Sequence, residues 1–400
     1  MKNLKKAQVE NKKILVRCDF NVPIEDGVVT DDYRIIQSLP TVKNLVSRGA
    51  KVILISHRGR PKKKKKFNDN KLSRFLKDFL HDDDLSLEPV VEVLKSNLEE
   101  VSFIHDCVGS QVEKRVNKMK PGEVILLENL RYYEGEEAGN DQFSKKLAEL
   151  ADIYVNNAFS ASHRDHASIT GVTDFLTSYP GYLFRKEVKF LTRLKERPDR
   201  PLVVIVGGAK ISSKIKTIKH FMKRADSLLV GGKVANSILA LKGVVDSHFL
   251  PDRDLVEKLE DLNLTSTKLN LPVDVVASSD HESYLRHTSI GKVRKNEEIF
   301  DIGPETVDLY ADIIREAGTI VWAGPLGFFE NSKFEKGTRA IGRRVAENEE
   351  ALTVIGGGDT GAAFNKFGLR RYVDHVSLGG GAMLNFLSDG EMPGLNALEK

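Results

Sequence analysis

Short apolar runs rich in β-branched residues recur along the whole chain, and longer amphipathic stretches separate them. The pattern predicts strands at Ile14–Arg17, Val52–Ser56, Val124–Leu127, Ile153–Val155, Leu202–Val206, Ser227–Val230, Val273–Ala277, Thr319–Trp322, Thr353–Ile355 and His375–Ser377. Near-continuous apolar strands that alternate with helices mark parallel sheets covered on both faces. The fold class is therefore α/β. Two doubly wound, Rossmann-like parallel-sheet domains suit the spacing better than one barrel, although a (β/α)₈ barrel with additions stays open. A break near Tyr179–Gly181 is followed by a helical pattern over Phe184–Leu194 that ends at Pro198 and Pro201. This predicts a first domain over 1–180, a connecting hinge helix over 181–198 and a second domain from 199.

Ligands of open parallel sheets bind beyond the carboxyl ends of the strands. Polar and basic residues follow the strands of the first half: Asp19 and Asn21, His57 and Arg60, Arg131, then His163 and Arg164. Glycines follow those of the second half: Gly207–Gly208 with Lys210 and Lys214, Gly231–Gly232, Gly324, Gly356–Gly358 and Gly379–Gly381. Gathered guanidiniums make a multidentate site for phosphate and carboxylate. Glycines let backbone N–H groups approach phosphates, and a helix N-terminus adds favourable dipole charge. One half thus reads as a site for a small polyanion and the other as a nucleotide site.

Gly356, Gly358 and Gly361 match G-x-G-x-x-G directly after a strand, with Asp374 near the spacing of a ribose-binding acid. That is the case for a dinucleotide-dependent oxidoreductase. Against it stands Asp359, whose carboxylate inside the loop would repel a pyrophosphate unless it holds a bridging Mg²⁺. A metal-bound nucleotide is the better reading, and a plain strand-to-helix turn with an Asp near the helix start is the bland alternative. The chain has no G-x-x-x-x-G-K-[ST] loop and no H-R-D or D-F-G pair.

Composition narrows the classes further. The 400 residues are 40% hydrophobic and 30% charged, an ordinary globular balance. A net charge of +4 does not make nucleic acid the default partner. The run Lys62–Lys66 reads as a solvated loop, with a nucleic-acid-binding protein as the alternative it would serve. No apolar run reaches the roughly 20 residues that span a bilayer, and the basic N-terminus lacks a signal-peptide core. The two cysteines, Cys18 and Cys107, form no metal pattern, which fits a reducing cytoplasm.

With these residues assembled, the sequence resembles the phosphoglycerate kinase family nearly end to end. The likeness rests on RCDFNVP (17–23), DDYRI (31–35), SHRGRP (56–61), LLENLRYYEGEE (126–137), YVNNAFSASHRDHAS (154–168), VVIVGGAKISSKI (203–215), DIGPET (301–306), VWAGPLGFFE (321–330), VIGGGDT (354–360) and HVSLGGGA (375–382). The resemblance implies a cytoplasmic, monomeric glycolytic enzyme moving a phosphoryl group between 1,3-bisphosphoglycerate and ADP, with Mg²⁺ and without membrane or nucleic-acid partners. It implies an N-terminal phosphoglycerate domain, a nucleotide domain over 199–379, and a segment 380–400 that returns to the N-terminal domain. Asp19, Phe20, Asn21, Arg34, His57, Arg60, Arg131 and Arg164 would bind the phosphoglycerate. Arg34, Lys210 and Lys214 would act on the transferred phosphoryl group. Lys214, Glu330, Gly357, Gly358, Asp359, Thr360, Gly379 and Gly380 would bind the nucleotide, with Asp359 the metal ligand. The chain departs from the family pattern at Arg58, Asn157, Ser213, Lys233, Ala323, Leu378, Asn385 and Ser388. Fewer acids near the phosphates predict tighter nucleotide binding than in a Ser213→Asp variant.

Overall fold

Runs of three to five strand residues, and one of two, build two six-stranded sheets in the computed structural model, which describes residues 1–62, 85–279 and 285–400. In chain order the first half contributes β1 (Lys13–Arg17), β2 (Ile24–Glu25), β3 (Val28–Val29), β4 (Lys51–Ile55), β5 (Val101–Ile104), β6 (Val124–Leu127), β7 (Ile153–Asn156) and β8 (Thr177–Pro180). Its main sheet runs β5-β6-β4-β1-β7-β8 with every pairing parallel, while β2 and β3 form a small hairpin. Alternation along the strands supplies both faces. Ile14, Val16, Val52, Leu54, Val124 and Leu126 pack under the helices Tyr33–Ser47 and Val90–Lys95. Leu15, Ile53, Ile55, Ile125 and Leu127 pack with Val112, Val116, Phe143 and Leu147 on the other side. Each such side chain removed from water contributes about 1.5–3 kcal/mol.

The second half contributes β9 (Leu202–Val206), β10 (Ser227–Val230), β11 (Leu269–Asn270), β12 (Asp274–Ser278), β13 (Arg286–Ser289), β14 (Glu298–Ile302), β15 (Thr319–Ala323), β16 (Leu352–Gly356) and β17 (His375–Ser377). Its main sheet runs β11-β10-β9-β15-β16-β17, again parallel throughout. Two open sheets, rather than a barrel, settle the architecture. The strand expected at Val273–Ala277 belongs to neither parallel sheet. It is β12, the centre of an antiparallel three-stranded sheet between β13 and β14. Its apolar run follows from that central position, covered on both edges, not from a parallel neighbour.

The chain divides into two units, residues 1–189 with 391–400, and residues 190–390. The division falls inside the helix Tyr182–Glu196. The helix Gly381–Leu387 groups with the second unit, so the part of the C-terminal segment that groups with the first begins at Glu391. Tyr179–Gly181, read as a break, closes edge strand β8 and leads into that helix. Of the lysine run, Lys63–Lys66 lie outside the described residues. No helix among the described residues is long and apolar enough to cross a membrane.

Candidate active site

In the first unit the polar residues stand at the carboxyl ends of β1, β4, β6 and β7. Asp19, just past β1, is buried and accepts hydrogen bonds from Arg34 at the start of the helix Tyr33–Ser47 and from Ser160. Burial alone would raise its pKa, but the Arg34 charge, with His57 and Ser160, holds the carboxyl well below the usual range. The Asn21 side chain accepts from the Gly59 N–H at 2.9 Å, which ties the loop after β1 to the loop after β4. Phe20 donates its N–H to Ser56 at 2.8 Å and buries its ring in the core, so only its backbone lies at the site.

Behind these residues sits Arg17, 1% exposed, which the motif reading passed over. Its guanidinium donates to Ser168 Oγ at 2.8 Å and stands 3.1 Å from His57 Nδ1. A guanidinium only donates. His57 Nδ1 is therefore the acceptor, and the imidazole proton sits on Nε2. Burial, then Arg17, keeps the His57 pKa well below its ordinary value, so the ring is neutral. Glu136, fully buried, accepts from the N–H and hydroxyl of Ser168 and faces His166 at 3.8 Å, completing the support. Arg131, drawn down to about 10 by burial and then by Arg164, donates to the Gly59 carbonyl at 2.6 Å. Burial and then exposed Arg60 lower Arg164 as well. Cations that depress one another's pKa in a part-buried site make a receptor for an anion.

In the second unit the glycine turns line the carboxyl edge of the sheet. Gly232 has φ +61°, and a Cβ there would stand 2.8 Å from the Gly208 nitrogen, so only glycine lets these loops pass. Gly380, at φ +35°, brings its backbone beside Gly357 with only 3.1 Å between a Cβ there and the Gly357 Cα. Gly379 donates its N–H to Ser377 Oγ at 3.1 Å. Lys210 precedes the helix Ile211–Arg224 and Lys214 lies one turn in, on the same side. Lys214 Nζ donates to the Ala323 carbonyl at 3.1 Å. Burial lowers its pKa to about 8 against the pull of Asp359, with Lys210 adding to the depression. Asp359 is exposed in the first turn of the helix Gly358–Lys366. Thr360 spends its hydroxyl on the protein, donating to the Gly356 carbonyl at 2.9 Å and accepting from Gly324 N–H at 2.8 Å. Its backbone N–H, like that of Gly358, belongs to the helix start whose donors have no intrahelical acceptor.

A cleft of about 590 Å³ opens beside them, lined by Gly208, Gly232, Phe300, Phe328, Glu330 and Asp359 among others. The aromatic walls were not legible as site residues. Phe300 lies on β14, outside the parallel sheet. Asp359 also suits a cation that takes few protein ligands. No cluster of three His, Cys, Asp or Glu that could hold a metal occurs among the described residues. Mg²⁺, which keeps waters and binds through one or two carboxylates plus substrate phosphates, fits such a site.

A parallel α/β unit with a cationic pocket, joined in one chain to a parallel α/β unit with a glycine-lined cleft and paired lysines, defines the class as a kinase. Comparison with known proteins supplies the family. A family model described as phosphoglycerate kinase matches residues 4–390. The phosphoglycerate kinase of Clostridium novyi is 43% identical, with 99% of this chain and 98% of that one covered, and that of Dictyoglomus turgidum is 40% identical over the same shares. Among solved structures, phosphoglycerate kinase from Pyrococcus horikoshii OT3 superposes with a TM-score of 0.85 at 30% identity, covering 100% of this chain and 98% of that one. That from Coxiella burnetii gives 0.77 at 36%, covering 99% and 98%. The chain belongs to the phosphoglycerate kinase family.

Proposed function

We propose that this chain catalyses reversible transfer of a phosphoryl group between 1,3-bisphosphoglycerate and a nucleoside diphosphate, ADP by family likeness, with Mg²⁺ on the nucleotide. The observation that carries the reading is the basic cluster in the first unit, where Arg131 and Arg164 stand beside neutral His57, Arg60 stands beside Arg164, and Arg34 pairs with Asp19. Such a set matches a small ligand bearing phosphate and carboxylate together. Arg60, Arg131 and Arg164 hold its charged groups, His57 donates through Nε2–H, and Asp19 and Asn21 orient its hydroxyl end. In the second unit Glu330 meets the ribose. The N–H groups around Gly357–Gly358 and Gly379–Gly380, with Thr360, cradle the phosphates.

The chemistry needs little else. In the ATP-forming direction a β-phosphate oxygen of the diphosphate attacks the acyl-phosphate phosphorus, and the carboxylate leaves. In reverse the carboxylate, with a pKa of about 3.5, attacks the terminal phosphorus. Both nucleophiles are already anionic, so no general base is required, and the residues serve by positioning and neutralising charge. By family likeness Arg34, Lys210 and Lys214 would neutralise the charge of the transferring group. Mg²⁺ held by Asp359 would supply further neutralisation of the nucleotide phosphates. Transfer requires both ligands in line and water excluded, which an acyl phosphate demands. A monomer is proposed by family likeness, and a cytoplasmic setting agrees with Cys18 and Cys107 being free thiols.

The test is nucleoside-diphosphate formation from ATP, Mg²⁺ and 3-phosphoglycerate with an acyl-phosphate trap. Turnover is expected in the natural chain and should fall by about 10²–10³ in Arg34→Ala. A folded natural chain without Mg²⁺-dependent turnover overturns the reading.

A further inference from the structure

One hydroxyl beside the basic cluster of the first unit is not called for by phosphoryl transfer itself. Ser160 lies in the short helical turn Phe159–Ala161, just beyond β7. β7 pairs in parallel with β1, with Asn156 opposite Arg17, so the loops after the two strands lie side by side. That adjacency sets Ser160 against Asp19 across 141 positions of sequence. The turn is held by its neighbours. Phe159 and Ala161 are buried on either side of half-buried Ser160, and the Phe159 ring meets Phe184 edge-on at 5.7 Å. Asn156 accepts the Ala158 N–H at 2.9 Å and donates to Ser162 Oγ at 3.1 Å. Ser162 in turn donates to the Ala158 carbonyl at 3.0 Å. A hydroxyl carried on such a turn is placed before any ligand arrives, so little ordering cost falls on binding.

What the hydroxyl holds is the Asp19 carboxylate. Asp19 Oδ2 accepts from both Ser160 and Arg34, while Oδ1 accepts the Asn21 N–H at 3.1 Å. A carboxylate offers about four lone-pair directions, so Oδ1 keeps one for the hydroxyl of a ligand. The two donors on Oδ2 differ in what can draw them away. Arg34 is a cation for which a phosphoryl group competes, whereas the Ser160 hydroxyl is neutral and stays. Burial raises the Asp19 pKa, Arg34 does most to oppose it, and Ser160 adds to that opposition. Were Arg34 drawn to the transferring group with no second donor in place, Oδ2 would be left buried and unpaired. Such an oxygen costs free energy or captures a proton, and a protonated Asp19 is a poorer acceptor for the ligand.

We propose that Ser160 is a positioning residue for the transfer: its hydroxyl keeps Asp19 in place as the acceptor of the ligand's hydroxyl and so releases Arg34 to the phosphoryl group. The proposal rests on the phosphoglycerate reading and adds a residue to it. The test uses the full chain and its Ser160→Ala and Ser160→Thr variants with two ligands, 3-phosphoglycerate and 3-phosphooxypropanoate, which lacks the 2-hydroxyl. Calorimetry gives Kd for each ligand, and the acyl-phosphate assay gives kcat and KM with 3-phosphoglycerate. The natural chain is expected to prefer the hydroxylated ligand, since a site that hydrogen-bonds a hydroxyl rejects the analogue without it. In Ser160→Ala that preference should shrink toward unity, with the Kd for 3-phosphooxypropanoate unchanged. There kcat should fall by roughly tenfold, the scale of one hydrogen bond to a charged group. Ser160→Thr, which keeps the hydroxyl, should restore both. No preference in the natural chain, or a preference or kcat unmoved by Ser160→Ala, overturns the proposal. So does equal weakening of both ligands, the mark of a merely structural role, or a Ser160→Thr variant that behaves like Ser160→Ala. Binding without turnover in the natural chain overturns the kinase reading alone, and the ligand preference then decides Ser160. A natural chain that binds neither ligand overturns both.

Discussion

At the scale of single residues, the site is governed by which groups are held away from their ordinary charge. Lys214 is the clearest case, with burial bringing its pKa to about 8. A lysine below its normal pKa loses its ammonium as pH rises through that value. Nucleotide affinity of the natural chain is therefore expected to fall above about pH 8, and binding near that pH should take up a proton as the phosphates restore the charge. Calorimetry in buffers of different ionisation enthalpy measures the uptake. Lys214→Arg, which keeps its charge at all relevant pH, should abolish both effects. His57 works the other way. Already neutral and fixed with Nε2–H outward by Arg17, it should give no inflection in kcat/KM between about pH 6 and 8. Its imidazole ¹⁵N shifts should report the Nε2–H tautomer, and a charged imidazolium in that range would refute the assignment.

At the scale of elements, the legible parts were those with period and burial. Strands such as Leu202–Val206 and Ser227–Val230 lie where their apolar runs place them. Edge strands β5 and β8 were not read, because Ser102, Ser178 and Pro180 dilute their patterns and partly exposed edges demand less apolar content. The basic and glycine residues beyond the strands were legible because parallel sheets put their ligand loops there. Arg17 was not, since it meets Ser168 across 151 positions and no local pattern announces a buried guanidinium. Asn157 shows why a departure from family pattern can be structural. Its Oδ1 accepts from Thr41 at 2.9 Å and from the Leu183 N–H at 3.2 Å, and its Nδ2 donates to the Ser38 carbonyl at 3.4 Å. The start of the helix Tyr182–Glu196 is thereby fixed to β7 and to the helix bearing Arg34. An aspartate there keeps the acceptors but turns a carboxylate oxygen toward a carbonyl. Asn157→Asp is expected to cost about 1–3 kcal/mol in the denaturant unfolding of the first unit, while a cost near zero would show that this amide donates nothing.

At the scale of the molecule, the proposed function assigns one ligand to each unit, and on that reading the units should respond to ligands separately. Differential scanning calorimetry is expected to show nucleotide raising the transition of residues 190–390 and 3-phosphoglycerate raising that of the remainder, each by about 2.7 kcal/mol at a hundredfold excess over Kd. A single transition moved equally by either ligand would mean that the units unfold as one. The order of the chain carries a further consequence. The first unit is interrupted by the whole of the second and is completed by Glu391–Lys400, where Gly394 donates its N–H to the Ser162 carbonyl at 2.9 Å and packs against Ile169. During translation the half that leaves the ribosome first must therefore wait, with its docking groove for those ten residues uncovered, until the later half has emerged. The nascent chain thus carries an apolar notch for most of its synthesis, a place where a chaperone can bind and from which the final helical turn must displace it.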